Sequence, residues 1–411
     1  MTTFRPRYRA LGVLVVAVLS MAVVLPISAH GDGGRDTQEV TVRCDKGRTI
    51  GDALARHSGP LTIKVVGTCD EHVVVDRNGV SLIAGGPGAG IQGPDPTTDT
   101  VLVTADRFGL DGLTVTGGRN AVVVWGASRA TLRNCAVRGA GSGVVGGIGI
   151  VFFQGASGTV DNCDSSGNPA DGMMLDGSIA TITNSTFSAN GRAGILVFNG
   201  SNARIGITGA FTLAPNAITG NGSTGIHVTV GSAAVIAGNT ISGNGASPAG
   251  AFGRFGVTAF HSRISLPGGN AITGNFAAGV LVNASTAVIG DPGFAVPTNN
   301  VIRGNSTASP SQGVNVVQSS TLLVRNATID NNNGTGIGLS SRSTMTMFSS
   351  TVTGHATNGV QLSQGSAAIF QAAPPVPNVT GNTGFDLACL DAESSFAGPL
   401  AAGATIDCTG F

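Results

Sequence analysis

One asparagine recurs through this chain at intervals of 22 to 31 residues, and it limits the possible folds more than any other feature. The series runs Asn168, Asn190, Asn221, Asn244, Asn275, Asn305, Asn332 and Asn382, with His355 in the same place between the last two. Most members close a short phrase such as Ile218-Thr219-Gly220-Asn221 or Ile272-Thr273-Gly274-Asn275. Self-similarity at this period is the signature of a stacked array, in which each repeat buries its apolar face only against its neighbours.

The grammar inside each repeat gives the element type. A glycine follows, commonly four residues after the asparagine (Gly172, Gly194, Gly225, Gly279, Gly336), and opens a short alternating segment such as Gly194-Ile195-Leu196-Val197-Phe198. A second segment follows a Ser/Gly turn, as at Thr181-Ile182-Thr183, and a third leads back to the asparagine. Three short strands per turn, with Gly, Asn and Ser at corners that need positive φ, describe a coil of parallel β-structure. No stretch of the repeats has a helical period. One repeat contains Gly220-Asn221-Gly222-Ser223-Thr224-Gly225, a G-x-G-x-x-G string. A phosphate-binding loop requires a helix after its third glycine. The sequence that follows, Ile226-His227-Val228-Thr229-Val230, reads as a strand, so the motif is repeat grammar.

These repeats resemble the right-handed parallel β-helix of pectate-lyase-like proteins, over about residues 73–385. The resemblance implies an all-β, single-stranded solenoid whose asparagine side chains hydrogen-bond from coil to coil. It also implies a secreted bacterial type of protein, but a fold hosts many activities. About ten to twelve coils are expected, which at roughly 4.8 Å per rung make a rod roughly 50 to 60 Å long.

The ends are expected to be capped, because an open sheet edge invites further pairing. Residues 30–72 form the N-terminal segment and cap. Within them Thr49 is the N-cap of a short amphipathic helix carrying Ile50, Ala53 and Leu54 on one face, bracketed by Cys44 and Cys69. Residues 386–411 form the C-terminal cap, with Cys389 and Cys408. Each pair is expected to close a disulfide loop. Cys135 and Cys163 hold equivalent places in adjacent repeats, where they can form a disulfide or stand as two thiols in a column.

Residues 1–29 read as a secretory signal peptide: Arg5, Arg7 and Arg9 precede the apolar run Leu11 to Leu25, and Ile27-Ser28-Ala29 offers a small-residue cleavage site. That run of about 15 residues is short of the roughly 20 that span a bilayer. No later segment is long enough, and six cysteines beyond Ala29 suit an oxidising compartment. The expected location is therefore secreted, periplasmic or cell-surface. Without the three leader arginines, 19 basic residues face 22 acidic ones, and only two lysines occur. Nucleic acid is not an expected partner.

Residues able to do chemistry are few. Between Gly177 and Phe385 the only acidic residues are Asp291 and Asp330. Asp161, Asp164, Asp171 and Asp176 fall in one coil, with Arg138 before them and Arg192 after. Paired carboxylates suit glycoside hydrolysis, and arginine beside carboxylates suits β-elimination, with calcium as the cofactor of a lyase. Asp171-Gly172 and Asp176-Gly177 are equally ordinary turn dipeptides. The galacturonase-like motifs are absent, apart from echoes at Asn168-Pro169-Ala170-Asp171 and Gly354-His355-Ala356, far apart along the rod. No metal site and no resident cofactor are expected.

A second column carries aromatics: Trp125, Phe153, Asp176, Phe198, Thr229, Phe260, Asn283, Val317, Ser340 and Ser363 align. Alternation from inward Ile195 and Val197 points Phe198 outward, where aromatic rings can stack on sugars or a partner. The same alternation places His227 toward solvent. Two functional classes follow. The first is a non-catalytic surface protein that binds polysaccharide or another surface component. The second is a polysaccharide lyase or glycoside hydrolase with its site on the Asp161–Asp176 coil.

Overall fold

The computed structural model describes residues 37–408, apart from 142–145, 210, 248–252, 291–298, 309 and 373. The leader segment 1–29 and Asp291 lie outside the described residues. Each coil gives one strand to each of three parallel sheets, called I, II and III in the order the chain visits them, with 15, 13 and 14 strands. One coil is Ile179–Thr183 in sheet I, Thr186–Ser188 in sheet II and Ile195–Phe198 in sheet III. The chain then re-enters sheet I at Asn202–Ile205, paired in parallel with Ile179–Thr183. Pairing begins upstream of residue 73, with Gln38–Arg43 against Leu61–Val66, and continues past residue 385. The coils before Asn168 carry no ladder asparagine, so the repeat count from sequence starts late.

Alternation within each strand builds one continuous core from Val42 to Cys389. In Ile195–Phe198, Ile195 and Val197 are inward members of that core, whereas Leu196 and Phe198 face out.

The asparagine column is a hydrogen-bonded ladder at the corner between sheets II and III. Asn221 Nδ2 donates to Asn244 Oδ1 at 2.9 Å, and Asn244 Nδ2 to Asn275 Oδ1 at 3.0 Å. The same contact links Asn168 to Asn190, Asn190 to Asn221, Asn275 to Asn305 and Asn305 to Asn332. Asn382 accepts from the His355 backbone N–H, and Asp386 Oδ1 closes the column by accepting from Asn382 N at 3.2 Å and Asn382 Nδ2 at 2.8 Å. His355 preserves both roles of an asparagine: Nδ1 accepts from Asn332 N at 3.2 Å, and Nε2 lies 3.1 Å from Ile329 O.

The glycines divide their work differently from the sequence expectation. The residue just before the ladder asparagine takes positive φ, as at Gly220 (φ 62°), Gly274 (61°) and Ala189 (51°). Gly225, four residues after the asparagine, does not. A Cβ there would stand 2.8 Å from Asn244 Nδ2 and 2.7 Å from Gly256 O, so this glycine exists for close approach of the next rung.

Two more ladders occupy the remaining corners. Between sheets I and II the column reads Cys135, Cys163, Ser185, Asn216, Asn239, Asn270 and Asn300, each accepting from the backbone N–H one rung back where the partner is a serine, an asparagine or Cys163. Between sheets III and I, serine hydroxyls accept the same bond from Ser178 to Ser394. Cys135 and Cys163 are disulfide-bonded within the first of these columns, with Cα atoms 4.6 Å apart. A Cys135→Ser, Cys163→Ser double substitution keeps a column acceptor, as Ser185 does, but opens a 28-residue loop. We expect a loss of about 3–4 kcal/mol from loop entropy, read as a lower denaturant midpoint; an unchanged midpoint would mean that the ladder alone holds these rungs.

Both caps are present. Thr49 Oγ1 accepts from Asp52 N at 3.1 Å, and Ile50 and Ala53 are buried. Glu71 adds a cap not anticipated from sequence, taking the Ile50 and Gly51 N–H groups on its two oxygens at 2.6 and 3.0 Å. Cys44 is bonded to Cys69, and Cys389 to Cys408. Among the described residues no helix is long and apolar enough to cross a membrane.

Candidate functional site

The outer face of sheet III carries a groove of about 660 Å³. Its floor is two outward positions from each of five successive rungs: Met174 and Asp176, Leu196 and Phe198, His227 and Thr229, Thr258 and Phe260, Leu281 and Asn283. Its wall is made by Arg192, Gly253 and Phe255 from the corners between sheets II and III. The 253–255 corner is held to the rod at three points. Ser223 Oγ donates to Gly253 O at 2.7 Å, Arg254 Nε donates to Gly245 O at 2.6 Å, and the Arg254 guanidinium lies over the Phe276 ring at 5.0 Å.

The aromatic column is in register as the sequence suggested. Trp125 pairs with Phe153, Phe153 with Asp176, Asp176 with Phe198, Thr229 with Phe260, and Phe260 with Asn283. Trp125 is 42% and Phe260 39% exposed; Phe153 and Phe198 are half-buried. Phe153 packs beside Trp125 with ring centroids 4.6 Å apart, over a small outer apolar cluster of Val123, Ile148, Val151 and Ala170. Within the groove, Thr258 Oγ1 and Asn283 Oδ1 are buried and have no hydrogen-bond partner among the described residues.

His227 does not face solvent as alternation alone implies. It points out of the sheet but is only 6% exposed, because the corner segments rise beside it. Burial, reinforced by the Arg192 charge, lowers its pKa to about 4, so the imidazole is neutral at pH 7.

The four carboxylates of the Asp161–Asp176 coil are not brought together. Asp161, on sheet I, accepts from Thr183 Oγ1 and Asn184 Nδ2, both at 2.8 Å. Asp164, on sheet II, is ion-paired with Arg138. Asp171 is fully buried at a corner, 3.0 Å from Arg192 and accepting from Ala193 N at 2.9 Å. Burial pushes its carboxyl up to about 6 against the opposing pull of Arg192 and that N–H. Asp176 alone reaches the groove, where Asn199 Nδ2 donates to it at 2.9 Å. Closeness in sequence around one coil places residues on different sides of the rod, so the carboxylate-pair expectation is not met. The Gly354-His355-Ala356 echo is likewise absorbed into the ladder. Among the described residues no three His, Cys, Asp or Glu side chains gather as metal ligands.

A parallel three-sheet coil with hydrogen-bonded corner columns and a lateral groove defines a β-solenoid with one elaborated face. Residues 100–210 and 178–372 match the family described as right handed beta helix region, and the chain belongs to it. It is similar in structure to the catalytic unit of a thermostable GH87 alpha-1,3-glucanase from Streptomyces thermodiastaticus, at 14% identity and TM-score 0.51, covering 92% of this chain and 72% of that one. It is also similar to the Azotobacter vinelandii mannuronan C-5 epimerase AlgE4 A-module, at 17% identity and TM-score 0.49, covering 88% and 94%. No curated protein matches it in sequence. At these identities the likeness is one of fold.

Proposed function

We propose that this chain is a polysaccharide-binding protein of the cell exterior, with its site in the sheet III groove. One observation carries the reading: the groove joins aromatic surface, at Phe198 and Phe260, to two buried polar atoms without partners among the described residues, Thr258 Oγ1 and Asn283 Oδ1. A sugar ring meets both demands, since its C–H face packs on an aromatic ring while its hydroxyls pair with the polar atoms. The carbohydrate-acting proteins of similar fold support this choice of ligand class, and the basic leader with its apolar run supports the location. A Phe198→Ala, Phe260→Ala double variant should bind polysaccharide roughly tenfold or more weakly, at about 0.5–1.5 kcal/mol per lost ring. Both rings face outward, so its melting temperature should stay near that of the parent. Titration calorimetry with unchanged affinity would sink the proposal.

A specific grouping favours a second reading, a lyase or hydrolase. Asp176, Arg192 and neutral His227 line the same groove, giving a carboxylate, a guanidinium and a group able to accept a proton. Turnover of a uronic-acid or neutral polysaccharide, followed by unsaturated-product absorbance and reducing ends and abolished by His227→Ala, would establish it. An absence of product with binding retained leaves the first reading standing.

A further inference from the structure

We propose that the groove takes a linear glycan in an extended two-fold conformation, laid along the rod axis with its disaccharide repeat in step with every second rung. This inference rests on the carbohydrate-binding reading above and adds the shape of the chain that is bound. It comes from the order of residues in the outer column. Over the five rungs of the groove floor and the one before them the column reads Phe153, Asp176, Phe198, Thr229, Phe260, Asn283, so that an aromatic and a polar side chain alternate three times.

Rungs in a parallel sheet stack at roughly 4.8 Å, so like side chains in this column recur at roughly 9.6 Å. In a two-fold glycan each ring is turned by half a revolution relative to the last. Only every second ring therefore offers the same face to a flat wall, and the disaccharide that repeats is close to that two-rung distance in length. Laid along the column, one ring of each pair places its C–H face on Phe153, Phe198 or Phe260. The next ring presents hydroxyls to Asp176, Thr229 or Asn283. Thr258 Oγ1 lies on the Phe260 rung and Asn283 Oδ1 on the following one, so the two buried polar atoms fall within one such repeat. A helical glycan, whose rings rotate progressively, keeps no such phase with the rungs. The alternation has defined ends: Trp125 stands one rung before Phe153 and out of phase, and Val317 replaces an aromatic after Asn283.

The test is calorimetric titration of the purified protein with oligosaccharides of two to six sugars. Cello-, manno- and chito-oligosaccharides represent two-fold chains, and laminari- and malto-oligosaccharides represent helical ones. Affinity should rise in steps of two sugars within at least one two-fold series, each step several-fold, with the helical series at least tenfold weaker. Phe153→Ala, Phe198→Ala and Phe260→Ala should each remove one step, with melting temperatures confirming that every variant is folded. A smooth rise with each added sugar, or equal binding of the helical series, overturns the phase-matching proposal but leaves a glycan site. No binding by any series overturns the carbohydrate reading and this inference together.

Discussion

Replacing Asn244 by leucine is expected to lower stability by about 4–6 kcal/mol, although the two side chains are similar in size. Asn244 is fully buried and works in both directions along the ladder. Its Oδ1 accepts from Asn221 N at 3.1 Å and Asn221 Nδ2 at 2.9 Å, and its Nδ2 donates to Ile218 O at 3.1 Å and Asn275 Oδ1 at 3.0 Å. Leucine leaves the Asn221 N–H and the Ile218 carbonyl without these partners, in a place water cannot reach. Each orphaned buried group costs about 1–3 kcal/mol, and the weakened side-chain contacts on both neighbouring rungs add to that. Because a solenoid's stability is the sum of its rungs and their interfaces, the loss should be local. Hydrogen exchange should accelerate first at the rungs of Ile218, Ile241 and Ile272, before the rest of the rod responds. A leucine variant with an unfolding free energy within about 1 kcal/mol of the parent would show that the ladder is dispensable.

The same column shows what can be read from one sequence and what cannot. Its asparagines were legible because one residue type recurs in a fixed phrase, and His355 was legible as a substitute from its place in the phrase. The other two ladders were not, for a physical reason. One backbone N–H needs only a small buried acceptor, and cysteine sulfur, serine hydroxyl and asparagine carbonyl all serve between Cys135 and Asn300. A requirement that several residue types meet leaves no repeated letter. Gly225 was visible as a repeat position, but its purpose was not, because close approach depends on Asn244 in the next rung.

The site divides in the same way. Strand alternation was enough to align Trp125, Phe153, Phe198 and Phe260 and to turn them outward. It could not supply the wall, which comes from Arg192, Gly253 and Phe255 in corners of unequal length. Burial of His227 follows from that wall, so its altered basicity had no local signal. The carboxylates misled for the converse reason: the stretch from Asp161 to Asp176 runs from the end of a sheet I strand to the end of a sheet III strand, and proximity in sequence became separation in space.

Asp171 and His227 should reveal themselves as opposed contributions to the pH dependence of stability. Burial raises Asp171 from an ordinary 3.8 to about 6, so between those values the folded protein holds a proton that the unfolded chain has released. Its contribution is full below pH 3.8 and is lost as pH rises through 6. His227 is lowered from 6.5 to about 4, and across that interval the unfolded chain holds the extra proton. Its contribution is full above pH 6.5 and is lost as pH falls through 4. At about 1.4 kcal/mol per pH unit for each proton, the two changes are each near 3 kcal/mol over their full ranges, about 2 kcal/mol of it between pH 4 and 6, and opposite in sign. In the parent they largely cancel, over a background from His355, whose pKa burial also lowers and which is common to all three proteins. The carboxylates held low by hydrogen bonds, such as Asp106 at about 2, act below this window. Relative to the parent, Asp171→Asn should therefore gain stability as pH rises from 4 to 6, and His227→Gln should lose it. Unfolding free energies from denaturant titrations at half-unit intervals should show the two variants' curves diverging by about 4 kcal/mol in total between pH 4 and 6. The substitutions also shift each curve by a constant through altered packing, whereas the Arg192 attraction is already contained in the Asp171 titration, so the slopes carry the result. Parallel curves for all three proteins would mean that neither group changes its proton affinity on folding, and that the groove leaves His227 as open to water as alternation alone would place it.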